Sequence, residues 1–158
     1  EDKFNEYLDI AQDEGAEILA QAETPDDPAL SEGHWVRPTI LDGVHQGETI
    51  ACEEVFGPVA GVITFEDEED ALETANDVQY GLTASIWTSD VGKAHRVASH
   101  VEAGQVAING TGGGGLGLPF GGYKRSGIGR KKDFTETMRE VTTVKAIRID
   151  TSEETPSL

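Results

Sequence analysis

The chain has 158 residues, 37% of them hydrophobic, with 19 glycines and a formal net charge of −18. That length allows one domain with a buried core, and no apolar run approaches the roughly 18 residues of a membrane span. The acidic balance argues against a nucleic-acid partner, which needs a basic face.

The charge is unevenly placed. Residues 1–90 hold 23 acidic side chains against two basic ones, Lys3 and Arg37, whereas residues 91–158 hold ten basic and seven acidic. Periodic apolar positions run through the acidic part, which excludes a disordered acidic tail. A docking surface for a basic partner is one reading. A halophilic surface, on which high salt screens self-repulsion and charge maintains solubility, is the preferred one. The single cysteine, Cys52, excludes an intramolecular disulfide or a multi-cysteine metal site. With no secretory signal at the first residues, a cytoplasmic setting is expected. The absence of a starting Met suggests the interior of a longer polypeptide.

In chain order, Phe4, Leu8 and Ala11, with Tyr7 beside them, recur at helical spacing, and Gly15 stands where a C-cap glycine would end the helix. Residues 16–20 form a short apolar run expected as a strand, and residues 22–33 a polar loop. Residues 34–41 are expected to be extended, with Pro38 marking an edge or irregular strand. Residues 59–65 resemble a buried strand. Asp67 is placed to cap a helix reaching Asn76, with Ala71, Leu72 and Ala75 inward. Residues 82–88 form the next strand. Asp90 caps a helix with a stripe of Val91, Ala94, Val97, Ala98 and Val101, stopped at Gly104, and residues 105–109 are a further strand. Strand–helix–strand–helix–strand at these lengths implies right-handed βαβ crossovers and a parallel sheet. A basic segment, 124–139, then leads to alternating residues 141–149, a strand that needs a partner, and a polar tail at 151–158.

Several motifs resolve to ordinary roles. Gly112-Gly113-Gly114-Gly115-Leu116-Gly117 satisfies G-x-G-x-x-G, but Pro119 and Gly121-Gly122 leave no helix to receive a phosphate. Cys52 is followed by Glu53 and Glu54, whose charge disfavours a thiolate. His95 and His100 do not share a helix face, and no metal site is expected. Glu54 differs from the other acids, because Phe56 and the rigid Gly57-Pro58 turn lead from it into a strand. A carboxylate held there accepts two hydroxyl hydrogen bonds, which suits a ribose diol.

Glu53-Glu54-Val55-Phe56-Gly57-Pro58-Val59 resembles a signature string of the NAD(P)-dependent aldehyde dehydrogenase family. Four further strings follow the same family in its order: Trp35-Val36-Arg37-Pro38-Thr39-Ile40, Ala75-Asn76-Asp77-Val78-Gln79-Tyr80-Gly81-Leu82, Gly104-Gln105-Val106-Ala107-Ile108-Asn109, and Pro119-Phe120-Gly121-Gly122-Tyr123-Lys124-Arg125-Ser126-Gly127. The resemblance implies that residues 1–140 are the C-terminal part of the α/β catalytic domain and that residues 141–150 are an oligomerisation strand. It implies that Glu54 binds the nicotinamide ribose of NAD or NADP and that Phe56 packs beside the nicotinamide. Phe120 would line the aldehyde tunnel, and Asn109 would begin the loop at the substrate entrance. The reaction implied is oxidation of an aldehyde to an acid through a cysteine thiohemiacetal, with the nucleophile upstream of this chain. The segment alone is then expected to be inactive, and a homo-oligomer would form through residues 141–149. The alternative is a non-catalytic oligomerisation or binding module from a truncated or split gene.

Overall fold

The computed structural model describes residues 1–30, 32–111, 115 and 117–151. Helix α1 (Asp2–Asp13) buries Phe4, Leu8 and Ala11 on one face, as their spacing requires. It ends where the Glu14 N–H bonds the Ile10 carbonyl and Gly15 takes φ +114°, a backbone that strains any side chain.

Strand β1 (Glu17–Gln21) pairs antiparallel with β2 (Thr39–Asp42), and β2 pairs in parallel with β3 (Val59–Gly61). Strand β2 is therefore the middle strand, not the edge that Pro38 suggested. Pro38 lies just before the ladder, where its missing N–H breaks no pairing and its carbonyl accepts from Ala22 N–H at 2.9 Å. Along β2, Thr39 and Leu41 are buried and Ile40 and Asp42 exposed. Leu41 joins Phe4, Leu8, Ala11, Ala16 and Val44 in the core, flanked by Val36, Ile50, Ala51, Val55, Val59 and Ile63. A 3-10 turn, Pro28–Leu30, lies between β1 and β2, and a short helix α2 (Thr49–Cys52) precedes the Glu54 string. Strand β3 is shorter and more open than the expected 59–65 strand, with Val62 and Phe65 exposed.

Helix α3 (Glu68–Asn76) starts where the Asp67 carboxylate accepts from the N–H groups of Glu69 and Asp70, both at 3.0 Å. Strands β4 (Tyr80–Gly81) and β5 (Thr83–Ile86) follow, then helix α4 (Val91–His100), capped by Asp90 from Lys93 N–H at 3.0 Å. Strand β6 (Gln105–Ile108) pairs in parallel with β5 in unbroken register, completing a βαβ unit. The parallel pairs are thus β2–β3 and β5–β6, in separate sheets; β3 and β5 do not pair. Two inward assignments are corrected as well. Ala75 is exposed, and Val91, the first residue of α4, stands clear of the packed stripe that begins at Ala94.

Strand β7 (Tyr123–Lys124) returns antiparallel to β4, and helix α5 (Phe134–Val141) follows, capped by Asp133 from Glu136 N–H at 3.2 Å. Val141 thus closes a helix instead of opening a strand. Residues 142–149 pair with none of the described strands, and Val144, Ile147 and Ile149 are exposed. An extended segment becomes a strand only when a neighbour takes its N–H and C=O groups. The tail at 152–158 and most of the glycine loop (residues 112–114 and 116) lie outside the described residues.

Candidate functional site

Three segments distant in sequence are bracketed together by a few polar side chains. Asn76 Oδ1 accepts from Glu102 N–H at 2.8 Å while its Nδ2 donates to the His100 carbonyl at 3.0 Å, tying the end of α3 to the end of α4. Lys124 Nζ lies 2.6 Å from the Glu102 carboxylate and also donates to the Asn76 carbonyl. Ser126 Oγ accepts from Gly81 N–H at 2.9 Å. Gly104 packs so closely on the 120s segment that a Cβ there would stand 1.7 Å from the Gly121 carbonyl oxygen. The strings at 75–82, 104–109 and 119–127 therefore form one assembly.

A cavity of about 610 Å³ opens against that assembly, lined by Tyr80, Gly81, Leu82, Val101, Arg125 and Ser126 among others, and Glu54 contributes to its wall. Glu54 is exposed and lies in the connection between α2 and β3. The Gly57 turn beside it is fixed by contact, since a Cβ at Gly57 would stand 2.3 Å from the ring of Phe4. Phe56 is 87% exposed, an aromatic face left open for a planar partner. An exposed carboxylate two residues from an exposed aromatic ring fits a group that carries both vicinal hydroxyls and a flat ring.

Phe56, Phe120 and Asn109 do not line the Glu54 cavity. Phe120 is half-buried; its backbone pairs with Lys131 at 2.7 and 2.8 Å, and Lys132 Nζ sits 4.4 Å from the centre of its ring. Asn109 takes φ +53° at the end of β6 and bonds the N–H and carbonyl of Thr88, both at 2.9 Å. Its amide is thus engaged in bracing the turn between β5 and α4. Tyr80, Arg125 and Ser126 were not picked out as site residues from the sequence, although they stand inside two of the quoted strings. Cys52 is half-buried at the end of α2. Among the described residues, no group of three or more His, Cys, Asp or Glu could hold a metal ion, and no helix is long and apolar enough to cross a membrane.

The fold is an α/β arrangement with two parallel strand pairs, and a cavity with Glu54 in its wall opens against the second of them. The model of the aldehyde dehydrogenase family matches residues 1–147, and the chain belongs to that family. It is 46% identical over 131 residues to an acetaldehyde dehydrogenase of Pseudomonas aeruginosa, covering 82% of this chain and 26% of that protein. It is 39% identical over 127 residues to the human 4-trimethylaminobutyraldehyde dehydrogenase, covering 79% of this chain and 26% of the relative. Among solved structures, betaine aldehyde dehydrogenase of Staphylococcus aureus in complex with NAD+ matches with a TM-score of 0.82 at 40% identity, over 88% of this chain and 27% of that one. The chain spans about a quarter of the length of the curated relatives it matches.

Proposed function

We propose that the chain is the C-terminal part of an enzyme that oxidises an aldehyde to a carboxylic acid with NAD or NADP. The observation that carries this reading is the exposed Glu54 carboxylate at the cavity wall with the open face of Phe56 two residues on, within a chain whose solved relative was captured with NAD+. Glu54 would hold the nicotinamide ribose through paired charge-assisted hydrogen bonds, and Phe56 would cover one face of the ring. The nicotinamide cofactor, when bound, supplies the hydride acceptor. Phe120 would form part of the aldehyde tunnel and Asn109 the border of its entrance. The cysteine nucleophile would come from the upstream part of the polypeptide, so residues 1–158 alone should oxidise no aldehyde.

Residues 142–149, with their exposed valine and isoleucines, would gain strand pairing from a neighbouring subunit of a homo-oligomer. The acidic surface would suit a salt-rich cytoplasm.

The test is Glu54→Gln in the whole enzyme. The amide keeps the shape but loses the charge that strengthens the ribose bonds, worth about 1–3 kcal/mol, so kcat/KM should fall roughly 5- to 150-fold. Part of the loss should appear in kcat, because a misplaced nicotinamide slows hydride transfer at saturation. Unchanged dehydrogenase kinetics would return Glu54 to the status of one more surface acid.

A further inference from the structure

Helix α1 touches the Glu54 segment at three points along one face. Near the helix C-terminus, the Glu14 carboxylate accepts from Thr49 N–H at 2.8 Å and from Thr49 Oγ1 at 2.6 Å. It thereby caps α2, whose own N-cap residue, Glu48, makes no side-chain cap. In the middle, the Tyr7 hydroxyl donates to the Glu53 carboxylate at 2.7 Å. Near its start, the Phe4 ring fills the space that a Cβ at Gly57 would need. Residues 4, 7 and 14 are separated by three and seven positions, which returns each to the same side of a helix. The segment 49–57 is thus pinned at its beginning, its middle and its end by one rigid element.

The middle contact has a directional consequence. Glu53 has extended backbone angles, φ −109° and ψ 150°. Successive side chains on extended backbone point to opposite sides. Binding Glu53 to α1 therefore turns Glu54 away from the helix, toward the cavity wall where it is found. It also separates two adjacent carboxylates that would otherwise compete for the same partners. The same contact raises the Tyr7 hydroxyl above its ordinary pKa, because the bonded and charged Glu53 favours the proton-bearing form.

We propose that α1 is the positioning element of the cofactor carboxylate, with the Tyr7–Glu53 hydrogen bond as the lock that sends Glu54 into the cavity. This rests on the assignment of Glu54 to the cofactor ribose. Tyr7 touches neither cofactor nor aldehyde in this scheme; it acts through Glu53.

The experiment is steady-state kinetics of the whole enzyme carrying Tyr7→Phe, Glu53→Ala, Glu53→Gln and Glu54→Gln, singly and with Tyr7→Phe combined with Glu54→Gln. Tyr7→Phe and Glu53→Ala remove the same bond from opposite ends, so loss of folding in one leaves the other informative. Each should raise the KM for NAD(P)+ about 3- to 10-fold, as expected for one hydrogen bond to a charged group at an exposed site, while the KM for aldehyde stays put. Glu53→Gln retains an acceptor for the tyrosine hydroxyl and should restore most of the loss. In the Glu54→Gln background, Tyr7→Phe should have no further effect on cofactor KM, because there is no charge left to aim. Equal rises in both KM values, or an undiminished effect in that background, would assign Tyr7 a general structural role and overturn the proposal. If Tyr7→Phe is silent while Glu54→Gln impairs the enzyme, the lock is wrong and the ribose site stands. If Glu54→Gln is itself silent, the ribose assignment fails and the lock fails with it.

Discussion

Asn76→Ala offers a severe test of how the cavity wall is held. The side chain is half-buried and makes two hydrogen bonds to backbone, at 2.8 Å to Glu102 and 3.0 Å to His100, linking the ends of α3 and α4. Each such bond contributes on the order of 1 kcal/mol net, so truncation should cost about 2 kcal/mol. Partial solvent access lets water replace some of the loss, which keeps the figure from rising to the cost of fully buried orphans. For a chain of this size 1 kcal/mol moves the melting temperature by about 2–4 °C, so Asn76→Ala should melt roughly 4–8 °C lower by calorimetry or circular dichroism. Lys124 bonds the Asn76 main-chain carbonyl, which the substitution leaves in place, so the fold should survive. A fall of less than about 1 °C would mean that the Asn76 bracket contributes nothing to stability.

Leu41 is fully buried at the centre of the first sheet, and Leu41→Ala should cost about 2–5 kcal/mol through lost burial and the cavity left behind; a loss under 1 kcal/mol in urea titration would show that the core collapses around the gap. If the acidic surface is a salt adaptation, the melting temperature should climb into molar potassium chloride, where the Debye length shrinks to about 3 Å; a flat or falling trend would refute it. Glu68 is held below the usual carboxylate range, first by its hydrogen bond from Arg96 at 2.9–3.0 Å, and the same pair raises the Arg96 guanidinium. A depressed folded-state pKa stabilises above the ordinary carboxylate value, near 4.3, and is lost as pH falls through the folded value. The stability gap between the wild type and Glu68→Gln should therefore be present at pH 6 and close toward pH 3; a pH-independent gap would sink the assignment.

Local signals carried much of this structure. The stripe of Phe4, Leu8 and Ala11 fixed the buried face of α1, and Asp67 and Asp90 marked helix starts that the backbone confirms with the expected cap bonds. The strands of the β5–β6 pair were placed correctly because each is bounded by a cap or a glycine. What the chain did not disclose was pairing: nothing local tells β3 to take β2 as its neighbour and leave β5 to β6, since that choice depends on residues far apart in sequence. Helix α5 was not among the expected elements, although Asp133 and Glu136 stand at capping-box spacing within the basic segment. At the cavity wall, Glu54 belongs to a string that the sequence sets apart, whereas Tyr80 and Ser126 acquire their place only when β7 folds back on β4.

The position of the buried side chains also bears on the order in which the molecule is made. Among the described residues, every buried hydrophobic except Ala94 lies between Phe4 and Val44, and the flanking residues of that cluster extend only to Ile63. These residues leave the ribosome ahead of residues 64–158 and can consolidate with contacts of their own. The later part, which closes the cavity, is secured mainly by amide, ammonium and hydroxyl bonds to backbone and by glycine contact. Amide hydrogen exchange should accordingly be slowest in α1 and β2 and faster in β4 and β7. The nascent chain would then display the Glu54 segment on a settled base before the wall that faces it exists.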